Sequence, residues 1–80
     1  MKELVIEIIK ALVDNPDKVE VKEISGEKSS IFELTVVSSD RGKIIGKQGR
    51  IIHSIRTIVS CAAAKLKKRV TIEIVEGWML

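Results

Sequence analysis

The stretch Ile44-Ile45-Gly46-Lys47-Gln48-Gly49-Arg50-Ile51-Ile52 sets two glycines three residues apart between aliphatic flanks and edges them with positive charge. The chemistry on offer is anion contact. A residue without a Cβ admits positive φ and lets another molecule approach the peptide groups. If Asp40 to Ile45 is a short helix and Arg50 to Lys68 a long one, the Gly46–Gly49 loop sits at the long helix's N-terminus, whose unpaired N–H groups favour phosphate. Lys47 and Arg50 add Coulombic attraction, Arg41 and Lys43 lie one turn back, and Gln48 can donate to a phosphate or sugar oxygen. A Gly-x-x-Gly pair alone arises by chance in roughly one chain in three of this size, whereas requiring the aliphatic flanks lowers this to about one in a hundred. The competing reading needs no ligand: Gly46 caps one helix and Gly49 opens the next.

Other phosphate and catalytic chemistries fail on spacing. Gly42 to Gly46-Lys47 encloses three residues where a P-loop needs four, and Gln48 replaces the hydroxyl that would hold magnesium. The order G-x-x-x-G-x-x-G after a helix-like stretch is not the dinucleotide fingerprint, which follows a strand. The lone His53 has no Ser, Cys or carboxylate at a catalytic spacing, and Cys61 has no partner for a disulfide or zinc site. No catalytic residue, cofactor or metal is expected. Helical spacing from Ile58 and Ala62 places Cys61 at an apolar edge, as a buried structural thiol.

The elements that would position the loop follow from periodicity. Leu4, Val5, Ile8, Ile9, Leu12 and Val13 recur at helical spacing over residues 2–14, and Asn15-Pro16-Asp17 ends that helix. Lys18 to Ser25 reads as a half-exposed strand in which Ile24 breaks the alternation and suggests a bulge. Gly26-Glu27-Lys28-Ser29 is a turn, and Ile31 to Val37 is a second strand with Phe32, Leu34 and Val36 on one face. Ser39 or Asp40 offers a side-chain oxygen to cap the short helix. Ile51, Ile52, Ile55, Ile58, Val59, Ala62, Ala63 and Leu66 form the apolar stripe of the long helix, and Val70, Ile72 and Ile74 alternate in a last strand. The order is α-β-β-α-α-β, without linker or repeat.

Eighty residues, 45 % of them apolar, are enough for one small core. The N-terminus has neither a signal-peptide pattern nor a membrane span, and one cysteine suits a reducing cytoplasm. Charge is uneven. Residues 1–39 carry five Lys/Arg against eight Asp/Glu, a net −3, and residues 40–80 carry nine against three, a net +6. The loop lies in the basic half, which points to a polyanion, while Lys65, Lys67, Lys68 and Arg69 also read as a solvated face.

With Ile-Ile-Gly-x-x-Gly-x-x-Ile joining its second and third helices, the chain resembles a type II KH domain over residues 1–80. Gly46-Lys47-Gln48-Gly49-Arg50, then Ile55-Arg56-Thr57, Ala62-Ala63-Ala64 and Lys68-Arg69-Val70-Thr71-Ile72-Glu73-Ile74, are similar to the small stand-alone bacterial KH proteins of the KhpA family. The resemblance implies an α+β fold: a three-stranded sheet with helices packed on one face. It also implies that Gly46, Lys47, Gln48 and Gly49 grip the backbone of about four single-stranded RNA nucleotides. Ile45 and Ile52 would then wall an adjoining groove, Ile52 serving equally as core, with His53 and Arg56 near its rim. The resemblance further implies self-association, a complex with a larger KH-domain RNA-binding protein, and roles as an RNA chaperone or post-transcriptional regulator linked to cell division, cell shape and cell wall.

The residues themselves support one restriction. Phe32 and Trp78 are the only aromatics, so a stacking platform of the RRM kind cannot be built and base contacts must be aliphatic and polar. Two other classes stay open. One is a helix-turn-helix DNA binder using Arg50, His53, Ser54 and Arg56; the other is a protein-interaction or dimerisation module, for which the apolar tail Trp78-Met79-Leu80 could serve unless it docks on its own domain.

Overall fold

The computed structural model describes residues 1–75, so the Trp78-Met79-Leu80 tail lies outside the described residues. Helix α1 (Lys2–Leu12) is followed by strands β1 (Glu20–Ser25) and β2 (Ser29–Thr35), helices α2 (Ser38–Ile45) and α3 (Arg50–Lys65), and strand β3 (Arg69–Ile74). Single 3₁₀ turns occupy Pro16–Lys18 and Lys47–Gly49. The sheet order is β1-β2-β3, with β1 antiparallel and β3 parallel to β2. A parallel neighbour requires a crossover, and α2 with α3 supplies it.

Alternation along the strands sorts the sheet into two faces. Phe32 and Leu34 of β2, paired with Ile72 and Ile74 of β3, turn toward the helices and join Val5, Ile9, Ile44, Ile55 and Val59 in the core. The register places Lys22, Glu33 and Glu73 together on the opposite face. This is the expected α+β arrangement, with the helices on one side of the sheet.

Pairing of β1 with β2 runs unbroken from Glu20–Thr35 to Ser25–Ser30, which corrects the reading of a bulge at Ile24. Ile24 stands on the open face across from Ile31, and that cross-strand contact accounts for an apolar residue out of phase. The α2 cap is also corrected: Val37 is the N-cap and no side chain caps the helix. Asp40 instead lies inside α2, 1 % exposed. Its Oδ1 accepts from the Asp14 N–H at 3.2 Å, and its Oδ2 accepts from the Asn15 N–H and Nδ2–H, both at 3.0 Å. Val13 is already extended at φ −101°, ψ 160°, so α1 stops at Leu12 instead of residue 14, and these bonds hold the chain that follows.

Helix α3 ends at Lys65, three residues before the expected end at Lys68. Lys67 adopts left-handed backbone at φ 57°, its N–H bonds to Ala64 O, and the Lys68 N–H reaches Ala63 O. That is a Schellman closure with lysine where glycine is usual. The buried stripe is correspondingly narrow, Ile52, Ile55, Val59 and Ala63, while Ile58 and Leu66 are 55 % and 62 % exposed. Cys61 is exposed as well, so it is not the buried thiol its spacing suggested.

Candidate nucleic-acid interface

The loop between α2 and α3 is built from three residues at positive φ. The Gly46 N–H closes the last turn of α2 on Gly42 O at 2.9 Å, and Gly46 itself turns to φ 75°, ψ 176°. Gln48 (φ 58°, ψ 28°) and Gly49 (φ 74°, ψ 15°) are left-handed, and the Gly49 N–H returns to Gly46 O at 3.2 Å. Gly46 is held by contact as well as by dihedral angle, because Ile51 packs directly against its Cα. The turn directs Lys47 and Gln48 outward, both exposed, and no side chain caps the N-terminus of α3 behind them. A helix start without a side-chain cap, fronted by a cation and an amide, suits a phosphate.

Beside the loop lies a shallow open groove, where Gln48, Gly49, Arg50, Ile52, His53 and Arg56 come together. Ile52 belongs to both regions: it is 6 % exposed, packs in the core and contributes to the groove wall. Ser54 also lines the groove, although its hydroxyl is taken up by Arg50 O at 3.0 Å. Arg56 is tethered to β3, its Nε and Nη2 donating to Ile72 O at 3.2 and 3.0 Å. Nothing in the sequence marks that acceptor, because it is a backbone carbonyl sixteen residues away.

The remaining candidates are placed differently. Lys43 points back along α2, its Nζ 3.1 Å from Asp14 Oδ2 and 3.7 Å from Asp40 Oδ1. Its hydrogen bond and attraction to Asp14, aided by Asp40, outweigh burial and raise its pKa above the ordinary 10.5. Burial acts to raise the Asp40 pKa, but the Asn15 amide, the Asp14 and Asn15 N–H groups and Lys43 together hold it below the usual 3.8. Arg41 is half-buried on α2, and Ile45 packs against the core. Among the described residues, no group of three or more His, Cys, Asp or Glu is placed to hold a metal ion, and no helix is long and apolar enough to cross a membrane.

A sheet of this order, three helices on one face and a Gly-x-x-Gly turn between the second and third define a type II KH domain. The family described as KhpA/KhpB, KH domain, matches residues 2–74. The chain is 63 % identical over 75 residues to the RNA-binding protein KhpA of Caldanaerobacter subterraneus subsp. tengcongensis, covering 94 % of this chain and 100 % of the relative. It is 55 % identical over 75 residues to the protein of the same name from Clostridium acetobutylicum, with the same coverage. Against that of Aquifex aeolicus it is 50 % identical over 76 residues, covering 95 % of this chain and 96 % of the relative. No solved structure matches. The chain belongs to the KhpA/KhpB family of KH domains.

Proposed function

We propose that this protein is a non-catalytic binder of single-stranded RNA that holds the sugar-phosphate backbone on the Gly46–Gly49 turn. The observation that carries this reading is the turn itself: left-handed backbone at the start of α3, no capping side chain, and Lys47 and Arg50 exposed with no acidic partner among the described residues. Gly46, Lys47, Gln48 and Gly49 form the grip, with Arg50 beside it. Ile52, His53 and Arg56 line the path of the bases, and Arg41 and Ile45 support the turn from α2. Lys43, engaged by two carboxylates, adds only to the surrounding field. The relatives' description as RNA-binding proteins agrees with this assignment. We place the protein in the cytoplasm as an RNA chaperone or post-transcriptional regulator.

Single strands are favoured over duplex DNA by the position of α3. In a helix-turn-helix protein the first helix crosses the DNA backbone and the second enters the major groove, whereas α2 is only eight residues long and α2 with α3 forms the crossover between the paired strands β2 and β3. Fluorescence anisotropy with short single-stranded RNA, single-stranded DNA and duplex DNA tests this, using the native chain and Lys47→Asp/Gln48→Asp. Two carboxylates beneath a phosphate should abolish binding while circular dichroism stays unchanged. RNA affinity retained in the folded double variant would refute the grip.

A second reading concerns assembly. Ile58 projects from α3 about 200° around the helix from Arg56 and is 55 % exposed. An apolar side chain there supports self-association, or a complex with a larger KH-domain RNA-binding protein. Sedimentation of native protein against Ile58→Lys tests it, with loss of the heavier species expected.

A further inference from the structure

The proposed grip accounts for phosphate contact but leaves base choice unexplained, and the geometry of Arg56 bears on that choice. Arg56 follows Arg50 by six residues of α3, about 9 Å along the axis and well past the turn that would hold phosphate. Arg56 lines the groove together with Ile52 and His53. Two of its five N–H donors, one on Nε and one on Nη2, converge on the Ile72 carbonyl at 3.2 and 3.0 Å. Bonding along that edge fixes the plane of the group. The opposite edge, Nη1 with the second hydrogen of Nη2, has no partner among the described residues, and the groove contains no carboxylate to take it.

A fixed pair of parallel donors selects a ligand that offers two neighbouring acceptors. Guanine does so with O6 and N7, and cytosine with O2 and N3. Adenine and uracil place a donor between their acceptors and cannot satisfy both hydrogens of the fork. Phe32 is buried between the sheet and the helices, so among the described residues the only ring beside Arg56 in the groove is the His53 imidazole, which can stack on any base and leaves the choice between bases to the fork. We infer that Arg56, positioned by the Ile72 carbonyl, makes the groove prefer guanine or cytosine over adenine or uracil at the nucleotide beside Ile52. This rests on the single-stranded RNA reading above.

The test measures anisotropy of the full chain with U8 and with U8 carrying two central nucleotides replaced by CC, GG or AA. Native protein should bind the CC or GG strand about fivefold or more tightly than AA and U8. Arg56→Lys keeps the charge and loses the fork, so the four affinities should fall within about twofold of one another. Modified bases give a check that needs no protein variant. Pyrimidin-2-one, which retains O2 and N3 but lacks the amino group, should bind like cytosine, and 7-deazaguanine, lacking one acceptor, should fall to the level of adenine.

Equal native affinity for all four strands overturns the inference, as does a preference that survives in Arg56→Lys. An Arg56→Lys loss that is equal on every strand overturns it too, since that would mark a phosphate contact or a purely structural tether. RNA binding that is blind to base yet abolished by Lys47→Asp/Gln48→Asp would leave the grip standing and remove only the role of Arg56. No binding of any strand at low salt would remove both.

Discussion

Ile51 occupies the space that a side chain on Gly46 would need: an ideal Cβ there falls 2.5 Å from Ile51 Cγ1 and 2.8 Å from Ile51 Cβ. Neither atom is the free end of a flexible chain, so the clash cannot be relieved by a rotamer change alone. At Gly49 the nearest atom, Ile52 Cγ2, is 4.0 Å away, and only the positive φ resists substitution. Gly49→Ala should therefore destabilise by about 1–2 kcal/mol, the left-handed penalty. Gly46, at φ 75° and ψ 176°, lies in a region essentially confined to glycine, so Gly46→Ala adds overpacking to that strain and should cost about 2–6 kcal/mol. Urea denaturation of the two variants checks the ranking, and equal losses would show that the Ile51 contact does not set the turn.

Gly42 shares the same stretch of sequence but meets neither constraint. A Cβ at Gly42 would find nothing within 4 Å, and the residue lies inside α2 with no positive φ. Gly42→Ala should stabilise the fold by about 0.5–1 kcal/mol, by restricting the unfolded chain and favouring helix. The melting temperature should rise by about 2–8 °C. A fall would show that the conformation of α2 differs from the one described.

Which parts of this molecule could be read beforehand depends on the range of the interactions that determine them. Phe32, Leu34, Ile52, Ile55 and Val59 announce their burial by local periodicity, and Gly46 and Gly49 announce the turn by residue type. The misread features are set by partners distant in sequence or by backbone groups. Asp40 looks like a cap because its role depends on Asp14 and Asn15, twenty-five or more residues away. The end of α3 was hidden because Lys67 takes the left-handed position that glycine normally advertises. Ile24 mimics a bulge because its partner Ile31 belongs to another strand. At the site, Lys43 reads as part of the basic cluster until Asp14 is brought beside it, and the tether of Arg56 ends on a carbonyl with no side-chain signature.

The Asp40 junction should make stability depend on acid pH. A carboxylate whose folded pKa lies below its ordinary value of 3.8 stabilises the fold above that value, and the contribution is lost as pH falls through the folded pKa. Asp40→Asn replaces one acceptor by an amide that would face the N–H groups of Asp14 or Asn15. At pH 7 the variant should melt about 5 °C or more below native. The gap should narrow as pH falls below 3.8, where native protein loses the same charge. Thermal scans between pH 7 and pH 2.5 check this, and a constant gap would assign the effect to packing instead of ionisation.

Salt dependence separates the cations that meet phosphate from those occupied within the fold. Binding to a single strand weakens with salt at a logarithmic slope of about −0.7 per neutralised phosphate. If the turn and Arg50 together engage two or three phosphates, the slope should be about −1.4 to −2.1, so affinity should fall roughly 7- to 18-fold between 50 and 200 mM salt. Arg50 is exposed with no acidic partner among the described residues, and Arg50→Gln should make the slope shallower by about 0.7. Lys43 has Asp14 and Asp40 as counter-charges within 4 Å, so Lys43→Gln should leave the slope unchanged while lowering the melting temperature. That lowering should itself vanish at alkaline pH, because a lysine whose folded pKa exceeds 10.5 stabilises the fold below that value and ceases to as pH rises through it. Anisotropy titrations at four salt concentrations give the slopes. A change for Lys43→Gln as large as that for Arg50→Gln would mean that Lys43 leaves its carboxylates to contact the strand, and that the RNA path extends back over α2.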